Sequence, residues 1–340
     1  MIFVTGGTGL VGSHLLLELC KSGRQVKALK RESSRLDQVL TIFSYYTDNA
    51  KQLFDSIEWV DGDILDYFSL EKLLHGVSEI YHCAAIVSFD KKDRNRMISN
   101  NVEGTSNLVN AAIENGVKKI CHVSSIAALG RLQGGRLVTE ETNWIPTKKN
   151  SAYSDSKFFS EAEIWRGIEE GLDAVIVNPS IIIGPGNWDS SSPRIFKTVY
   201  EGLKFYTRGV TGYVDVNDVV KAMVSLMDEG NFEKCKNQRY LLNAENLSYE
   251  DVFKQIADAI SKPAPSVYAN SFMIGAAWRL SAFGSLFSRK APAITKEVAA
   301  SSSEVNRFDG SKITSVLNFR YTPISESIIN TARHFTNSIK

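Results

Sequence analysis

Residues 2–16 read IFVTGGTGLVGSHLL, and this stretch decides the fold. Its first four residues, Ile2 to Thr5, are β-branched or aromatic, the composition of a buried strand. Directly behind them Gly6, Gly9 and Gly12 recur at three-residue spacing, and Gly7-x-Gly9-x-x-Gly12 satisfies G-x-G-x-x-G. A helical pattern then covers residues 10–22. Missing β-carbons permit a tight strand-to-helix turn, bring the backbone close to a pyrophosphate and let the helix pack closely on the strand. Amides at the helix start would face the phosphates along a favourable dipole. Glycine spacing alone is common in loops; between a first strand and a first helix it is specific. Gly6, Thr8, Gly9, Leu10 and Val11 are therefore expected to contact a dinucleotide.

Outward from this turn, short β-rich runs begin at Gln25, Ile57, Glu79, Lys119 and Ala174. Helical patterns at 66–75, 93–115 and 152–170 separate them, and Leu36, Val39, Leu40 and Phe43 lie at helical spacing within the longer 31–56 connection. This alternation implies βαβ units and a parallel sheet covered on both faces. The expected fold is α/β: a Rossmann doubly wound sheet with a smaller, irregular α/β lobe. Residues 1–180 form the dinucleotide-binding domain in this reading, with a return segment at 214–243. Residues 181–213 and 244–340 form the substrate lobe, opening with the Gly-, Pro- and Ser-rich IIIGPGNWDSSSPR.

The bulk numbers agree with a globular enzyme. Of 340 residues 43% are apolar, enough for a sizeable core, and the formal charge of +1 argues against a nucleic-acid surface. Cys20, Cys83, Cys121 and Cys235 are scattered, without zinc or disulfide spacing, and are expected as buried thiols in a reducing compartment. No metal site is expected from the five scattered histidines. The MIFVTGG start shows no charged leader before an apolar stretch, so a cytoplasmic location is expected. The apolar stretch at 272–287 is interrupted by Arg279 and too short to span a bilayer, and is expected to line a groove or a dimer face.

An acidic residue closing the second strand would bind both ribose hydroxyls and favour NAD(H). Here Lys30 and Arg31 stand instead, with Arg35 close behind, which favours NADP(H) through contacts to a 2′-phosphate. The alternative is a solvated cluster of cations after a strand.

Ser125 follows the fifth strand in CHVSSIAALG, and Tyr153 and Lys157 lie in SAYSDSK. At four-residue spacing, tyrosine and lysine share one helix face. Carbonyl reduction by hydride needs a proton donor beside the oxygen. A phenol with pKa near 10 serves only if its anion is stabilised, here by the ammonium. The serine hydroxyl would bind the same substrate oxygen. These three are the expected catalytic residues.

These motifs resemble the extended short-chain dehydrogenase/reductases, in the NAD-dependent epimerase/dehydratase superfamily. The resemblance implies cofactor contacts from Asp63 and Ile64 in DGDILD, from Cys83, Ala84 and Ala85 in HCAA, from Asn101 in NNVEGT, and from Pro179 and Ile182 in NPSIIIGPG, besides Tyr153 and Lys157. AAIVSFD, SSIAALGR, EAEIWRG and FDGSKI are similar to the dihydroflavonol-reductase-like branch. The resemblance thus implies an NADP(H)-dependent oxidoreductase interconverting a small carbonyl compound and an alcohol, of EC 1.1.1 type. A sugar-nucleotide epimerase or dehydratase holding NAD is the alternative, and a silent dinucleotide-sensing protein the third reading. Val87, Phe89, Trp188 and Tyr206 are expected to wall the substrate pocket, with Gly184 and Gly186 in a mobile lip. By analogy with the group, a homodimer pairing the 93–115 and 152–170 helices is expected, its apolar face drawn from Leu108, Val109, Ala112, Phe158 and Phe159.

Overall fold

The computed structural model of the chain describes residues 1–132, 136–147, 150–270, 272–275, 278 and 302–339. The expected 272–287 helix lies mostly outside the described residues.

Seven parallel strands form the central sheet: β1 (Ile2–Thr5), β2 (Val26–Lys30), β3 (Glu58–Asp61), β4 (Glu79–His82), β5 (Lys119–Val123), β7 (Asp173–Pro179) and β11 (Gln238–Leu242), with β6 (Leu137–Val138) outside it. Their order is β11-β7-β5-β4-β1-β2-β3. Crossovers run one way from β1 to β3 and the other way from β4 onward. The switch between β1 and β4 leaves a crevice at the carboxyl ends of these strands, where such sheets bind ligands. Both faces of every inner strand are apolar, alternating with the pleat. Ile2, Val4, Tyr81, Cys121, Val175 and Val177 face one cluster, while Phe3, Ile80, Ile120, Ala174 and Ile176 face the other.

Helices α1 (Leu10–Lys21) and α2 (Leu36–Ser44), followed by α3 (Ala50–Asp55), cover the first face. The second is covered by α4 (Tyr67–Leu73), then α5 (Arg94–Ile98) and α6 (Gly104–Glu114), and α7 (Ala152–Glu169). The pattern expected as one helix over 93–115 is divided by a π-turn at Ser99–Glu103. The extra residue in that turn rotates Asn101 inward, where it is 1% exposed.

The second lobe holds β8 (Ile181–Ile183), α8 (Arg194–Tyr200), β9 (Phe205–Tyr206) and β10 (Val210–Asp215). The chain returns to the main sheet through α9 (Val216–Met227) and α10 (Glu229–Cys235), then continues with β12 (Glu245–Ser248), α11 (Tyr249–Ala259), β13 (Val267–Tyr268), β14 (Arg307–Phe308), α12 (Ser311–Leu317) and α13 (Ile324–Ser338). Phe196, Val199, Tyr213, Val252, Ile256, Ile328 and Phe335 form its core. Two aspartates seat the lobe on the sheet. Asp215 caps α9 and accepts from Ser327, and Asp218 accepts from the Thr322 amide at 2.6 Å. Among the described residues no helix is long and apolar enough to cross a membrane.

A buried polar chain crosses the sheet's second face. The Thr5 hydroxyl meets His82 Nδ1 at 2.7 Å, His82 Nε2 meets Thr105 Oγ1 at 2.9 Å, and Thr105 meets Ser160 Oγ at 3.0 Å. Burial and the nearby Lys157 charge depress His82 from 6.5 to about 3. Burial, with a smaller contribution from His334, holds His14 at about 4. Both imidazoles are neutral in the fold, whereas the unfolded chain takes up protons below about pH 6.5. Their contribution to stability is complete above that pH and is lost as pH falls toward the folded values. By pH 5 the loss should be about 2 kcal/mol per histidine. Thermal melts should therefore fall steeply from pH 7 to 5, and less steeply in His82→Asn; equal slopes would contradict the assignment.

Candidate active site

The glycine turn is built by contacts that exclude a side chain. Gly6 has φ +69°, and a β-carbon there would lie 2.5 Å from the Ala84 nitrogen. A β-carbon on Gly12 would lie 2.1 Å from the Gly6 carbonyl oxygen. The Gly9 amide closes the turn on that oxygen at 2.9 Å. No side chain caps α1 at Gly9, so the first amides, beside Thr8, Leu10 and Val11, are left for an anion. A cradle that a β-carbon would fill, at an uncapped helix start over the switch point, fits a dinucleotide pyrophosphate.

Cys83, Ala84 and Ala85 run beside this turn, the Cys83 amide donating to the Thr5 carbonyl at 3.1 Å. Cys83 is half-buried, whereas Cys20, Cys121 and Cys235 are fully buried free thiols. Gly184 and Gly186, expected in a mobile lip, are closely packed in this structure. A β-carbon on Gly184 would lie 2.3 Å from Val216, and one on Gly186 would lie 2.9 Å from Leu10. They let the second lobe press against the phosphate turn.

At the end of β2 the expected pair of free cations is reduced to one. Lys30 forms an ion pair with Asp61, the residue closing the neighbouring strand β3. Arg35 pairs with Asp37 at 3.0 Å. Arg31 is exposed and has no carboxylate within ion-pair distance among the described residues. Asp63 accepts from the Leu65 amide at 3.0 Å. Ile64 is buried against Gly104, whose missing β-carbon makes room for it.

Asn101, expected as a cofactor contact, is committed elsewhere. Its carbonyl accepts the Ile86 amide at 2.7 Å, and its amide donates to the Ile86 carbonyl at 2.9 Å and to Ser156 Oγ at 3.1 Å. It clamps the strand that leaves β4 and touches no open space; it is a positioning residue. Pro179 closes β7, and Ile182 lies in β8 opposite Val214.

Ser125, Tyr153 and Lys157 converge. Ser125 follows β5 in an extended conformation, and its hydroxyl is within hydrogen-bond reach of Tyr153. Ser151 caps α7, accepting from the Ser154 amide at 3.0 Å, which places Tyr153 and Lys157 on the helix's first two turns. Lys157 is 3% exposed and donates to the Val123 carbonyl at 2.9 Å. Burial lowers its ammonium to about 8, opposed by Cys83 and Glu161. The phenol departs from expectation: burial raises Tyr153, with the Ser125 hydrogen bond opposing. Tyr153 therefore holds its proton at neutral pH, the state needed to give it away.

Of the expected wall residues, Phe89 packs edge-on to Tyr153 with centroids 5.6 Å apart, and Val87 beside it is exposed. Trp188 is a correction: partly buried, it packs against the lobe's core, 5.0 Å from the Phe335 ring and 6.2 Å from Phe196. Tyr206 packs on Tyr268 in the β9–β13 ribbon. Sequence reading missed Asn178, which donates to the Ser125 carbonyl, and Glu161, which accepts from the Ser124 hydroxyl and from Asn178. For Glu161 a signal was present, since it lies four residues past Lys157 on the same helix face.

The profile of the NAD dependent epimerase/dehydratase family matches residues 2–240. The chain belongs to this family. It is 30% identical to a putative dihydroflavonol 4-reductase of Synechocystis, over 98% of this chain and 94% of that one. It is 29% identical to cinnamoyl-CoA reductase 1 of Petunia hybrida, over 67% of this chain and 69% of that one. Its fold is that of dTDP-glucose 4,6-dehydratase from Streptomyces venezuelae, solved with NAD bound, at a TM-score of 0.74, 20% identity and coverage of 99% and 97%. An NAD dependent family and a pyrophosphate cradle agree on a nicotinamide dinucleotide as the cofactor, and the relatives mark the chain as an oxidoreductase of the extended short-chain type.

Proposed function

We propose that this chain interconverts an aldehyde or ketone and an alcohol, with NADP(H) as its preferred dinucleotide. The observation that carries this reading is the meeting of the Ser125 and Tyr153 hydroxyls in front of the buried Lys157 ammonium. The dinucleotide, held by the Gly6–Gly12 turn and by the segment at Cys83, Ala84 and Ala85, supplies hydride when bound. Ser125 binds the carbonyl oxygen and Tyr153 gives it a proton as the double bond is reduced. Lys157 stabilises the phenolate that remains. The substrate faces Val87 and Phe89, an apolar wall beside two hydroxyls. We assign residues 1–180 with 214–243 to dinucleotide binding, and 181–213 with 244–340 to the substrate.

The epimerase or dehydratase alternative needs cations for a nucleotide diphosphate. Lys197 is paired with Asp189, and Arg208 stacks on Tyr268 beside Glu250. Of the four cations in 181–215 these pairings withdraw Lys197 and Arg208 and leave Arg194 and Lys204 exposed, a balance that supports a less charged substrate. A silent dinucleotide sensor would have no use for a tyrosine and lysine placed this way.

For assembly, Leu108, Val109 and Ala112 pack inward on the sheet and leave the expected dimer face. Phe159, 45% exposed, and Phe158, stacked on Trp144 with centroids 4.1 Å apart, remain. We propose a homodimer through this aromatic face of α7 and the α5–α6 helices.

Three outcomes are expected. With a panel of aldehydes, ketones and alcohols followed at the nicotinamide absorbance, Tyr153→Phe should lose about 100-fold or more in kcat while dinucleotide Kd stays within about threefold. Turnover of a nucleoside-diphosphate sugar alone would replace this reading with the alternative. Wild type should bind NADPH more tightly than NADH, and Arg31→Ala should remove about 1.5–3 kcal/mol of that preference. Because Lys30 is already neutralised by Asp61, Lys30→Ala should remove less; a wild type favouring NADH would overturn the assignment. Light scattering should find a dimer at micromolar concentration and a shift toward monomer in Phe159→Glu; a monomeric wild type would rule the interface out.

A further inference from the structure

We propose that Glu161 is a positioning residue of this site, whose carboxylate fixes the exit of β5 that presents Ser125 and holds Lys157. The inference rests on the catalytic reading of Ser125, Tyr153 and Lys157 given above.

Glu161 lies one turn beyond Lys157 on α7 and is 2% exposed. Four donors converge on it. Its Oε2 accepts from Ser124 Oγ at 2.6 Å and Asn178 Nδ2 at 2.7 Å; its Oε1 accepts from Trp165 Nε1 and Arg239 Nη1, each at 3.2 Å. Asn178 Nδ2 also donates to the Ser125 carbonyl at 3.1 Å. Three successive residues of the β5 exit are thereby tied to α7. Lys157 holds the Val123 carbonyl, Glu161 holds the Ser124 hydroxyl, and Asn178, itself turned by Glu161, holds the Ser125 carbonyl. The price of that orientation is visible. A carboxylate can only accept, so Asn178 must face it with its NH2 group, and the buried Asn178 Oδ1 has no hydrogen-bond partner among the described residues.

Stability does not account for such a group. A buried carboxylate with one guanidinium partner is often no more stabilising than apolar side chains of the same volume. What it supplies is a fixed negative charge one turn from a buried ammonium. Around Lys157 stand His82 from β4, Cys83 after it, His122 from β5, and Tyr153 and Glu161 from α7 itself. The two imidazoles are neutral, and burial holds the Cys83 thiol at about 12, hence protonated. Glu161 is the formal negative charge in this set. Arg239, from β11, faces its far oxygen. Removing the carboxylate should therefore make Lys157 lose its proton at lower pH, and should free the strand that carries Ser125.

The test compares Glu161→Gln, Glu161→Asp and Ser124→Ala with wild type, each checked for a native melt. Two readouts are taken: kcat against pH, and the pH at which NADPH affinity weakens as Lys157 loses its charge, followed by cofactor fluorescence. In Glu161→Gln kcat should fall about 10–100-fold with KM for NADPH within about threefold. The alkaline limb of kcat and the binding midpoint should both move down by about 0.5–1 pH unit. Glu161→Asp should return the midpoint toward wild type, and Ser124→Ala should lower kcat without moving it. Should Glu161→Gln not fold, Ser124→Ala and Glu161→Asp decide the matter by the same readouts. The inference is overturned if the folded glutamine variant keeps kcat within twofold, or loses kcat with an unmoved midpoint. A wild type inactive on every carbonyl substrate, but with a midpoint that shifts in the variant, would remove the catalytic reading and leave the Glu161 charge effect standing.

Discussion

A lysine that is 3% exposed is the constraint on which the rest of this structure depends. Taking an ammonium out of water costs several kcal/mol unless partners replace the lost hydration. Lys157 finds one partner at the end of β5, where the Val123 carbonyl accepts from it at 2.9 Å. Inside a sheet such carbonyls are consumed by the ladder; at a strand's carboxyl end they become free. The lysine therefore ties helix α7 to that end of the sheet, beside the switch point at which the crevice opens. Helix α7, the end of β5 and the glycine turn are brought to one place by the need to satisfy a single charge.

The same charge explains why the neighbouring histidines are neutral. His82 and His122 lie with ring centroids 5.0 Å apart beneath Lys157, and a second buried cation there would add repulsion to desolvation. As a neutral group His82 serves as a hydrogen-bond link instead. The chain from Thr5 through His82 and Thr105 to Ser160 joins the first residue before the glycine turn to helices α6 and α7. The phosphate turn and the catalytic helix thus share one polar scaffold, independent of the apolar layers that Leu108 and Ile164 fill.

Much of this was legible from residues alone, for a physical reason. Strands β1, β4 and β5 begin where their β-rich runs begin, because residues such as Phe3, Val4, Ile80, Tyr81, Ile120 and Cys121 fill both buried faces of the sheet. Gly6 and Gly12 are legible because backbone contacts at 2.5 and 2.1 Å leave no alternative residue. Ser125, Tyr153 and Lys157 follow from helix spacing and strand order. What spacing cannot reveal is which partner a polar group chooses. Lys30 found Asp61 across a strand pair, Asn101 turned to the Ile86 backbone through a π-turn, and Trp188 joined Phe335 from the far end of the chain. Each of these depends on a contact distant in sequence, and each moved a residue from an expected ligand contact to a contact within the protein.

That distinction bears on how the exit of β5 is held. Arg239 pairs with Glu161 and also donates to the Glu140 carbonyl at 2.7 Å, while its own carbonyl accepts from Lys312 at 2.9 Å. Glu140 in turn accepts the Leu241 amide at 2.8 Å. Segments outside the central strands are therefore bonded to Arg239: the turn before residue 141 to the guanidinium that faces Glu161, and helix α12, through Lys312, to its main-chain carbonyl. A movement of Arg239 would be felt at Glu161, then at Ser124 and Asn178, and finally at Ser125. The strand that presents Ser125 is thereby held from behind, by the turn before residue 141, β11 and α12, and not only by the helix packed beside it.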